Sequence, residues 1–144
     1  MTKSFEAQLK DWVDLTNVSL KYVAVNAISD VLEAAQTPQV AISKGATSFV
    51  EGKIPVAESE LINSLQVNEG AKGPAVYETA LLGFEIGEVM RFSWTADYAY
   101  RIELGFVGTD KAGRTYNQAG RHFVGANAAK FSQFVEKYAR EVRS

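Results

Sequence analysis

Residues 87–104 read GEVMRFSWTADYAYRIEL, and within this stretch a strand pattern gives way to a helix pattern. From 88 to 95, large apolar side chains alternate with a second, mostly polar set, which predicts a β-strand. The large apolar side chains on one face are Met90, Phe92 and Trp94. The segment 96–104 has a helical composition, and Gly105 after it is a favoured helix stop. This stretch therefore contains both a predicted strand and a predicted helix.

Two further strands are predicted upstream of this unit. Residues 61–68 alternate partly between apolar and polar side chains, whereas residues 76–86 are apolar and aromatic, with Gly83 at the position of a β-bulge. The short connection at 86–88 fits a hairpin between this strand and strand 88–95. The sequence therefore predicts a small antiparallel sheet.

A long helix is predicted at residues 4–36. Ser4 is a typical N-cap, and the helix should end before Pro38, because the residue preceding a proline avoids helical backbone angles. Apolar residues recur at steps of three and four along one face. They are Phe5, Leu9, Trp12, Leu20, Val23, Ala27 and Val31. A second apolar set, which includes Val13 and Val18, interrupts the outer face, so we expect part of this helix to contact another subunit.

Two long loops are predicted, at residues 37–60 and 105–120. The first lacks an apolar period and contains recurring glycine, serine and lysine, with a short strand expected only around 48–50. The second is rich in glycine, threonine, asparagine and aspartate. Loops of this length are usually functional or become ordered on assembly.

The last predicted element is a helix at residues 121–143. Its lysines and arginines collect near the C-terminal end, where they suit the helix dipole. Its apolar face contains Ala128, Phe131, Val135, Tyr138 and Val142. A length of 144 residues fits one domain, 1–144.

The amino-acid composition excludes several classes of protein. With 47% hydrophobic and 22% charged residues, the chain has the composition of a globular protein. A formal net charge of −2 offers no excess of positive charge for phosphate backbones, which disfavours nucleic-acid binding by the monomer. Cysteine is absent, so disulfides, thiol nucleophiles and cysteine metal sites are excluded. No apolar run has the length of a spanning helix, and we expect a soluble protein made in the cytoplasm.

Few residues offer catalytic chemistry. The one histidine, His122, follows Arg121 at the start of the last predicted helix, where a histidine is more often a capping or surface group. The glycine-bearing loop lacks the spacing of a P-loop or of a dinucleotide fingerprint, and Asp110 lacks the companion ligands of a calcium loop. We therefore predict no catalytic residue, no cofactor and no metal site, and expect that the protein is not an enzyme.

An alternative hypothesis assigns a ligand to the same loop. Backbone amides at a helix N-terminus attract anions, and His122, Asp110 and Arg114 flank the glycines. The chain would then be a small-ligand-binding or hydrolytic α+β protein. Replacement of His122 by alanine discriminates the two hypotheses, because only this one predicts the loss of an activity.

Motifs in two parts of the chain match the pattern of a known family. The downstream motifs lie within GEVMRFSWTADYAYRIELGFVGTDKAGRTYNQAGRHFV, residues 87–124. They are Trp94-Thr95-Ala96, Tyr98-Ala99, Glu103 followed by Gly105, Gly113-Arg114, and Gly120-Arg121 through to Phe123. The upstream motifs are Lys53-Ile54-Pro55-Val56 and Ser64-Leu65. This pattern resembles the tailed-bacteriophage head-tail joining proteins, also called neck, tail-completion or tail-terminator-like proteins. Where that family has Asp-Thr-Gly, this chain has Ala57-Glu58-Ser59, which removes a turn-forming glycine.

The resemblance implies an α+β subunit in which the long N-terminal helix and the C-terminal helix pack on the small antiparallel sheet. It implies a structural virion protein that joins or completes the tail, at the head-tail neck or at the top of the tail. It also implies a homo-oligomeric ring, a hexamer or a dodecamer, in contact with other neck, connector and tail-tube proteins. In such a ring, DNA is expected to pass through the lumen without sequence-specific binding, and no membrane contact is expected. Assembly is expected in the host cytoplasm. The predicted inter-subunit or neck contacts are Arg101, Glu103, Phe106, Asp110, Arg114, Tyr116, Arg121 and Phe123.

Overall fold

The computed structural model describes residues 4–109, 112–113 and 115–143, and it confirms the α+β class. The helices are α1 (Phe5–Ala35), α2 (Glu60–Asn63), α3 (Val76–Leu82), α4 (Ala99–Leu104), α5 (Gly125–Ala128) and α6 (Phe131–Arg143). The strands are β1 (Pro38–Val40), β2 (Ile54–Val56), β3 (Leu65–Val67), β4 (Phe92–Trp94), β5 (Gly105–Thr109) and β6 (Thr115–Ala119). A short 3-10 helix, Ile42–Lys44, lies between β1 and β2.

Helix α1 begins and ends where the sequence predicts. The Ser4 side chain accepts a hydrogen bond from the Ala7 backbone nitrogen at 3.2 Å, and Gln36 caps the other end. With 31 residues, the helix is about 46 Å long. Its buried residues all lie in the C-terminal third, from Ala27 onwards. Within the described part of the chain, no helix combines the length and the apolar content needed to cross a membrane.

The strands form three two-stranded ladders rather than one sheet. Strands β1 and β2 pair in parallel, whereas β3 pairs with β4 and β5 pairs with β6 in antiparallel register. Leu65 lies opposite Trp94 in the second ladder, and Gly105 lies opposite Ala119 in the third. Each ladder depends on packing against helices or loops, because an isolated strand pair is marginally stable in water.

The predicted strand at 76–86 is wrong, because residues Val76–Leu82 form helix α3. Tyr77, Leu81 and Phe84 are buried, and their steps of four and three match a helical face. A short apolar run of this kind does not distinguish a strand from a helix by periodicity. Gly83 caps α3 and is not a bulge, and β4 pairs with β3, so the predicted hairpin at 86–88 is wrong as well.

The predicted loop at 105–120 is wrong as well, because it contains the β5–β6 hairpin. The hairpin escaped prediction because its side chains lie largely outside the core. Val107, for example, is 74% exposed, so no alternation of apolar and polar residues is required along the strands. Gly105 ends α4 as predicted, with a φ of 89° that favours glycine.

The first predicted loop, 37–60, also contains regular structure, since β1 and β2 lie near its two ends. Both strands have three residues, too few to produce a readable period. The strand expected around 48–50 is absent from the assigned elements. The predicted strand 61–68 is divided between the short helix α2 and strand β3.

The predicted helix 121–143 is in fact two helices, α5 and α6, and it starts four residues later than expected. Residues 121–124 precede α5, and His122 has a positive φ of 49°, which a helix does not accommodate. The buried Asn127 side chain in α5 donates hydrogen bonds to the carbonyls of Gly52 and Phe123, at 2.8 and 2.7 Å. These bonds fix the start of the C-terminal region against the loop before β2.

The buried apolar side chains form two clusters that meet at Trp94. The first cluster consists of Leu32, Leu65, Val67, Tyr77, Leu81 and Phe84. The second consists of Ile54, Leu61 and Phe123. Trp94 packs against both, and its indole nitrogen donates a hydrogen bond to the Gln36 side-chain oxygen at 2.7 Å. The Gln36 side-chain nitrogen donates to the carbonyls of Ile62 and Pro74, so the end of α1 is tied to three separate segments.

Helix α6 packs along α1 through polar as well as apolar groups. The Tyr138 hydroxyl donates a hydrogen bond to Asp30 at 2.7 Å, and the Tyr22 hydroxyl donates to Glu141 at 2.6 Å. The rings of Tyr22 and Tyr138 meet edge to face, with centroids 6.0 Å apart. No residue of α6 is fully buried. The α1–α6 contact therefore depends on half-exposed tyrosine-carboxylate pairs.

Candidate interaction site around Arg121 and the β5–β6 hairpin

The end of α4 and the segment after β6 cross at very close range. The Arg121 backbone nitrogen donates to the Ile102 carbonyl at 2.7 Å, and that of His122 donates to the Glu103 carbonyl at 3.2 Å. A Cβ atom on Gly120 would lie 2.5 Å from the Glu103 carbonyl oxygen, and one on Gly105 would lie 2.6 Å from that of Gln118. Only glycine at both positions permits this crossing.

The Glu103 carboxylate holds the start of α5. It accepts hydrogen bonds from the backbone nitrogens of Val124 and Gly125, at 3.0 and 2.7 Å. A carboxylate at a helix N-terminus satisfies unpaired N–H groups and opposes the positive end of the helix dipole. Glu103 therefore has a positioning task within the subunit.

Arg121 is buried, with 5% of its surface exposed. One of its terminal nitrogens donates to the Ala119 carbonyl, and the guanidinium lies over the Phe49 ring, 4.1 Å from its centroid. Its Nε has no hydrogen-bond partner, and among the described residues no carboxylate forms an ion pair with it. Burial lowers the pKa of the Arg121 guanidinium, although an arginine remains charged at neutral pH.

The loop between the 3-10 helix and β2 places Phe49 on Arg121, and Gln39 shapes this loop. The Gln39 side-chain nitrogen donates to the carbonyls of Val50 and Lys53, and its oxygen accepts from the Val50 backbone nitrogen at 2.8 Å. The loop is joined to the crossing segment by a hydrogen bond of 2.7 Å from the Gly52 nitrogen to the Arg121 carbonyl.

A cavity of about 320 Å³ lies beside Arg121. Its polar lining comes from Ser43, Tyr98, Gln118 and Arg121, and its apolar walls include Ile42 and Leu61. Burial raises the pKa of the Tyr98 hydroxyl, and the charge of Glu60 acts in the same direction. The cavity thus combines one buried cation with hydroxyl and amide groups and apolar walls, a composition common in ligand sites.

The structure separates the other predicted contact residues into core, surface and undescribed groups. Phe123 is buried and meets the Trp94 ring edge to face at 5.3 Å, so it is a core residue of the subunit. Arg101 is exposed and lies over the half-buried Phe106 ring, 4.4 Å from its centroid. The Tyr116 backbone, in β6, pairs with that of Gly108 in β5. The Tyr116 side chain, Asp110 and Arg114 lie outside what is described.

The alternative site around His122 is not assembled in the described part of the chain. His122 is half-buried, and no hydrogen bond of its imidazole to a described residue is found. The described residues also contain no group of three histidine or carboxylate side chains close enough to hold a metal ion. Asp110 and Arg114, its other proposed members, lie outside the described residues. This alternative therefore stays a prediction.

Most of the cavity was missed by sequence reasoning. Ser43 and Gln118 were expected in loops, and Tyr98 was expected in the helix 96–104. No spacing along the chain connects them with Arg121, since the segments meet only in the folded subunit. Arg121 is the cavity residue that was named from the sequence, as a predicted inter-subunit or neck contact carried by the Gly120-Arg121 motif.

A second candidate surface is the N-terminal half of α1. Trp12 is 64% exposed, and Phe5 is 78% exposed. The other exposed large apolar side chains of this surface are Leu9, Val13, Leu15, Val18 and Leu20. Both apolar faces predicted for this part of the helix therefore point away from the described core. We call residues 5–20 of α1 the apolar arm.

Comparison with protein family models, with curated proteins and with solved structures finds no match to this chain. The likeness to phage head-tail joining proteins therefore remains a prediction based on the quoted motifs.

Proposed function

We propose that the protein is a virion subunit that forms a ring at the head-tail neck or at the top of the tail of a tailed bacteriophage. The observation that carries the proposal is the apolar arm, on which seven large apolar side chains are exposed. Exposed apolar surface of this kind is characteristic of protein-protein contact sites. The motifs around Trp94, Glu103 and Gly120, which resemble those of head-tail joining proteins, support a phage neck or tail as the assembly in which this contact is made.

The apolar arm gains stability from a partner. A helix of about 15 residues is marginal in water unless an apolar face is buried, and residues 5–20 of α1 include none that is fully buried. Burial of side chains such as Trp12 and Leu15 against a neighbour contributes about 1.5–3 kcal/mol each. Contact with a second copy would therefore offset the cost of ordering the arm.

Ring closure needs two different surfaces on each subunit, since each copy meets the next through unlike patches. The apolar arm offers one such surface. The β5–β6 hairpin offers a distinct second surface, with exposed side chains such as Val107. A hexamer or a dodecamer closed by contacts of this type fits the proposal, with connector and tail-tube proteins above and below the ring. The formal charge of −2 favours passage of DNA through a lumen over adhesion to its wall.

The test compares the assembly of the native chain with that of an arm variant. Trp12 and Leu15 are neighbours on the helix surface, and Trp12→Glu combined with Leu15→Glu places two charges on the arm. The matched control is Asn17→Glu, which adds charge at an exposed polar position of the same helix. Sedimentation velocity and negative-stain imaging measure the ring, alone and with purified connectors and tail tubes.

We expect a ring for the native chain and for Asn17→Glu, and a monomer with an unchanged melting temperature for the arm variant. The melting temperature should be retained because neither substituted side chain belongs to the described core. A native chain that stays monomeric in the presence of connectors and tail tubes, combined with normal head-tail joining in phage lacking it, would refute the proposal.

A further inference from the structure

The Arg121 guanidinium is a buried cation with incomplete partners. Within the described part of the chain, one of its five N–H donors bonds to the Ala119 carbonyl, and Nε, which is shielded from solvent, meets no acceptor. A buried charge without an opposite charge is costly, and it is retained where a partner arrives to neutralise it. The Phe49 ring offsets only part of this cost, because a cation-π contact is weaker than a charge-assisted hydrogen bond.

The nearby carboxylates are engaged elsewhere. Glu58 follows the cavity residue Ala57 and forms an ion pair with Lys44, which itself follows the cavity residue Ser43. Glu103 uses its two oxygens on the start of α5. Glu60 lies close enough to the cavity to raise the pKa of Tyr98, but it forms no ion pair with Arg121 either. Within the described chain the Arg121 guanidinium is therefore without a paired carboxylate.

We propose that the cavity beside Arg121 is a binding site for a carboxylate group. The planar guanidinium matches a planar carboxylate in shape and charge. The Tyr98 and Ser43 hydroxyls and the Gln118 amide line the same space and offer further donors. The apolar walls formed by residues such as Ile42 and Leu61 suit the short aliphatic chain that bears the carboxylate. This site does not depend on the proposed ring.

The chemistry favours a carboxylate over a phosphate. Among the described residues, Arg121 is the one charged residue that lines the cavity, and the neighbouring Lys44 is already paired with Glu58. One positive charge balances a monoanionic carboxylate, whereas a phosphate brings close to two negative charges and usually meets several cations or a helix N-terminus. We therefore expect selectivity for carboxylates over inorganic phosphate and sulfate.

Titration of the full chain tests the site. Acetate and butyrate are added at constant ionic strength, and the backbone amide signals of Tyr98 and Gln118 are followed by NMR. We expect saturable shifts with a dissociation constant on the order of millimolar, as befits a ligand of few atoms. Arg121→Met should weaken binding at least tenfold, whereas Arg101→Met, which removes an exposed arginine, should leave it unchanged.

A second variant keeps the test decisive if Arg121→Met fails to fold. Tyr98→Phe removes one lining hydroxyl and retains the ring, and we expect a few-fold loss of affinity with an unchanged circular dichroism spectrum. The proposal is overturned if carboxylates cause no saturable shift, if phosphate or sulfate binds as well, or if binding survives Arg121→Met. Any of these results would leave Arg121 with the structural task of holding Phe49 and the hairpin base.

The same ligand and the same Arg121→Met variant distinguish two sources of the carboxylate, a second copy of the chain and a free molecule. If an acidic side chain of a second copy fills the cavity, saturating butyrate and Arg121→Met will each lower self-association in sedimentation. If self-association is unaffected while butyrate binds, the ligand is a free carboxylate. Only this sedimentation experiment rests on the proposed ring. The NMR titration tests whether the cavity binds carboxylates even if the chain is a monomer.

Discussion

The Glu103 carboxylate lies 2.7 Å from the Gly125 backbone nitrogen, so a side chain at the end of α4 fixes the start of α5. The same residue also accepts a backbone hydrogen bond from His122 through its carbonyl oxygen. Glu103 thus joins the segment that follows β6 to the segment that precedes β5. It acts as an internal brace at the base of the hairpin.

Removal of this brace should destabilise the subunit. We expect Glu103→Ala to lower the free energy of unfolding by about 2 kcal/mol, since two charge-assisted hydrogen bonds are lost and two N–H groups lose their acceptor. Urea denaturation followed by circular dichroism measures the change. The control is Glu51→Ala, at an exposed carboxylate of the loop before β2. Equal stability of the two variants would contradict the bracing role.

The backbone crossing at Gly120 leads to a second prediction. Gly120→Ala places a methyl group 2.5 Å from the Glu103 carbonyl oxygen and 2.8 Å from the Leu104 carbonyl carbon, so the two backbones must separate. We expect a loss of about 1–3 kcal/mol in unfolding free energy, typical of overpacking. Hydrogen exchange at the Arg121 and His122 amides should accelerate, because their bonds to α4 lengthen.

The control for this prediction is Gly83→Ala, at the end of α3. A Cβ atom there has its nearest neighbour, the Ala80 carbonyl oxygen, at 3.9 Å, and the backbone φ is negative. This substitution should change stability by less than about 1 kcal/mol. If Gly120→Ala were as well tolerated as Gly83→Ala, the crossing would have to be looser than described.

The buried Gln36 side chain supports a third prediction. We expect Gln36→Leu to destabilise the chain by about 2–4 kcal/mol, because the Trp94 indole N–H and two backbone carbonyls lose their partner in a buried setting. A double-mutant cycle with Trp94→Phe isolates the Gln36–Trp94 bond. We expect a coupling energy of about 1 kcal/mol, and additive effects of the two substitutions would show that this bond adds nothing to stability.

The sequence predicted those features that depend on local chemistry. Ser4 and Pro38 mark the ends of α1, and Gly105 marks the end of α4, because caps, proline and positive φ act through immediate neighbours. The strand pattern before Trp94 was also readable, although β4 proved shorter than predicted. Local signals of this kind need no knowledge of the rest of the fold.

Features that depend on tertiary contacts were not readable. The segment 76–86 is apolar enough for either a strand or a helix, and only packing on α1 and β3 selects the helix α3. The described side chains of β5 and β6 are half-buried or exposed, so they leave no apolar period. The contact of Phe49 with Arg121 joins residues far apart in the chain, and so does the lining of the cavity by Ser43, Tyr98 and Arg121, so neither has a sequence signature.

The Tyr138–Asp30 hydrogen bond gives the α1–α6 contact a dependence on pH. This bond, aided by partial burial, raises the pKa of Tyr138 to about 12, above the ordinary value of about 10. Because the pKa is raised in the folded state, the stabilisation is present below pH 10 and is lost as the pH rises through about 12. We expect the free energy of unfolding to fall over this range, and to fall less in Tyr138→Phe.

Tyr100→Phe, at a tyrosine that is 75% exposed, should behave as the native chain does. The hydrogen bond to Glu141 also raises the pKa of Tyr22, so part of the decline should persist in Tyr138→Phe. Urea midpoints measured at intervals between pH 9 and 12 give the comparison, and identical declines in all three chains would show that Tyr138 is not the titrating group.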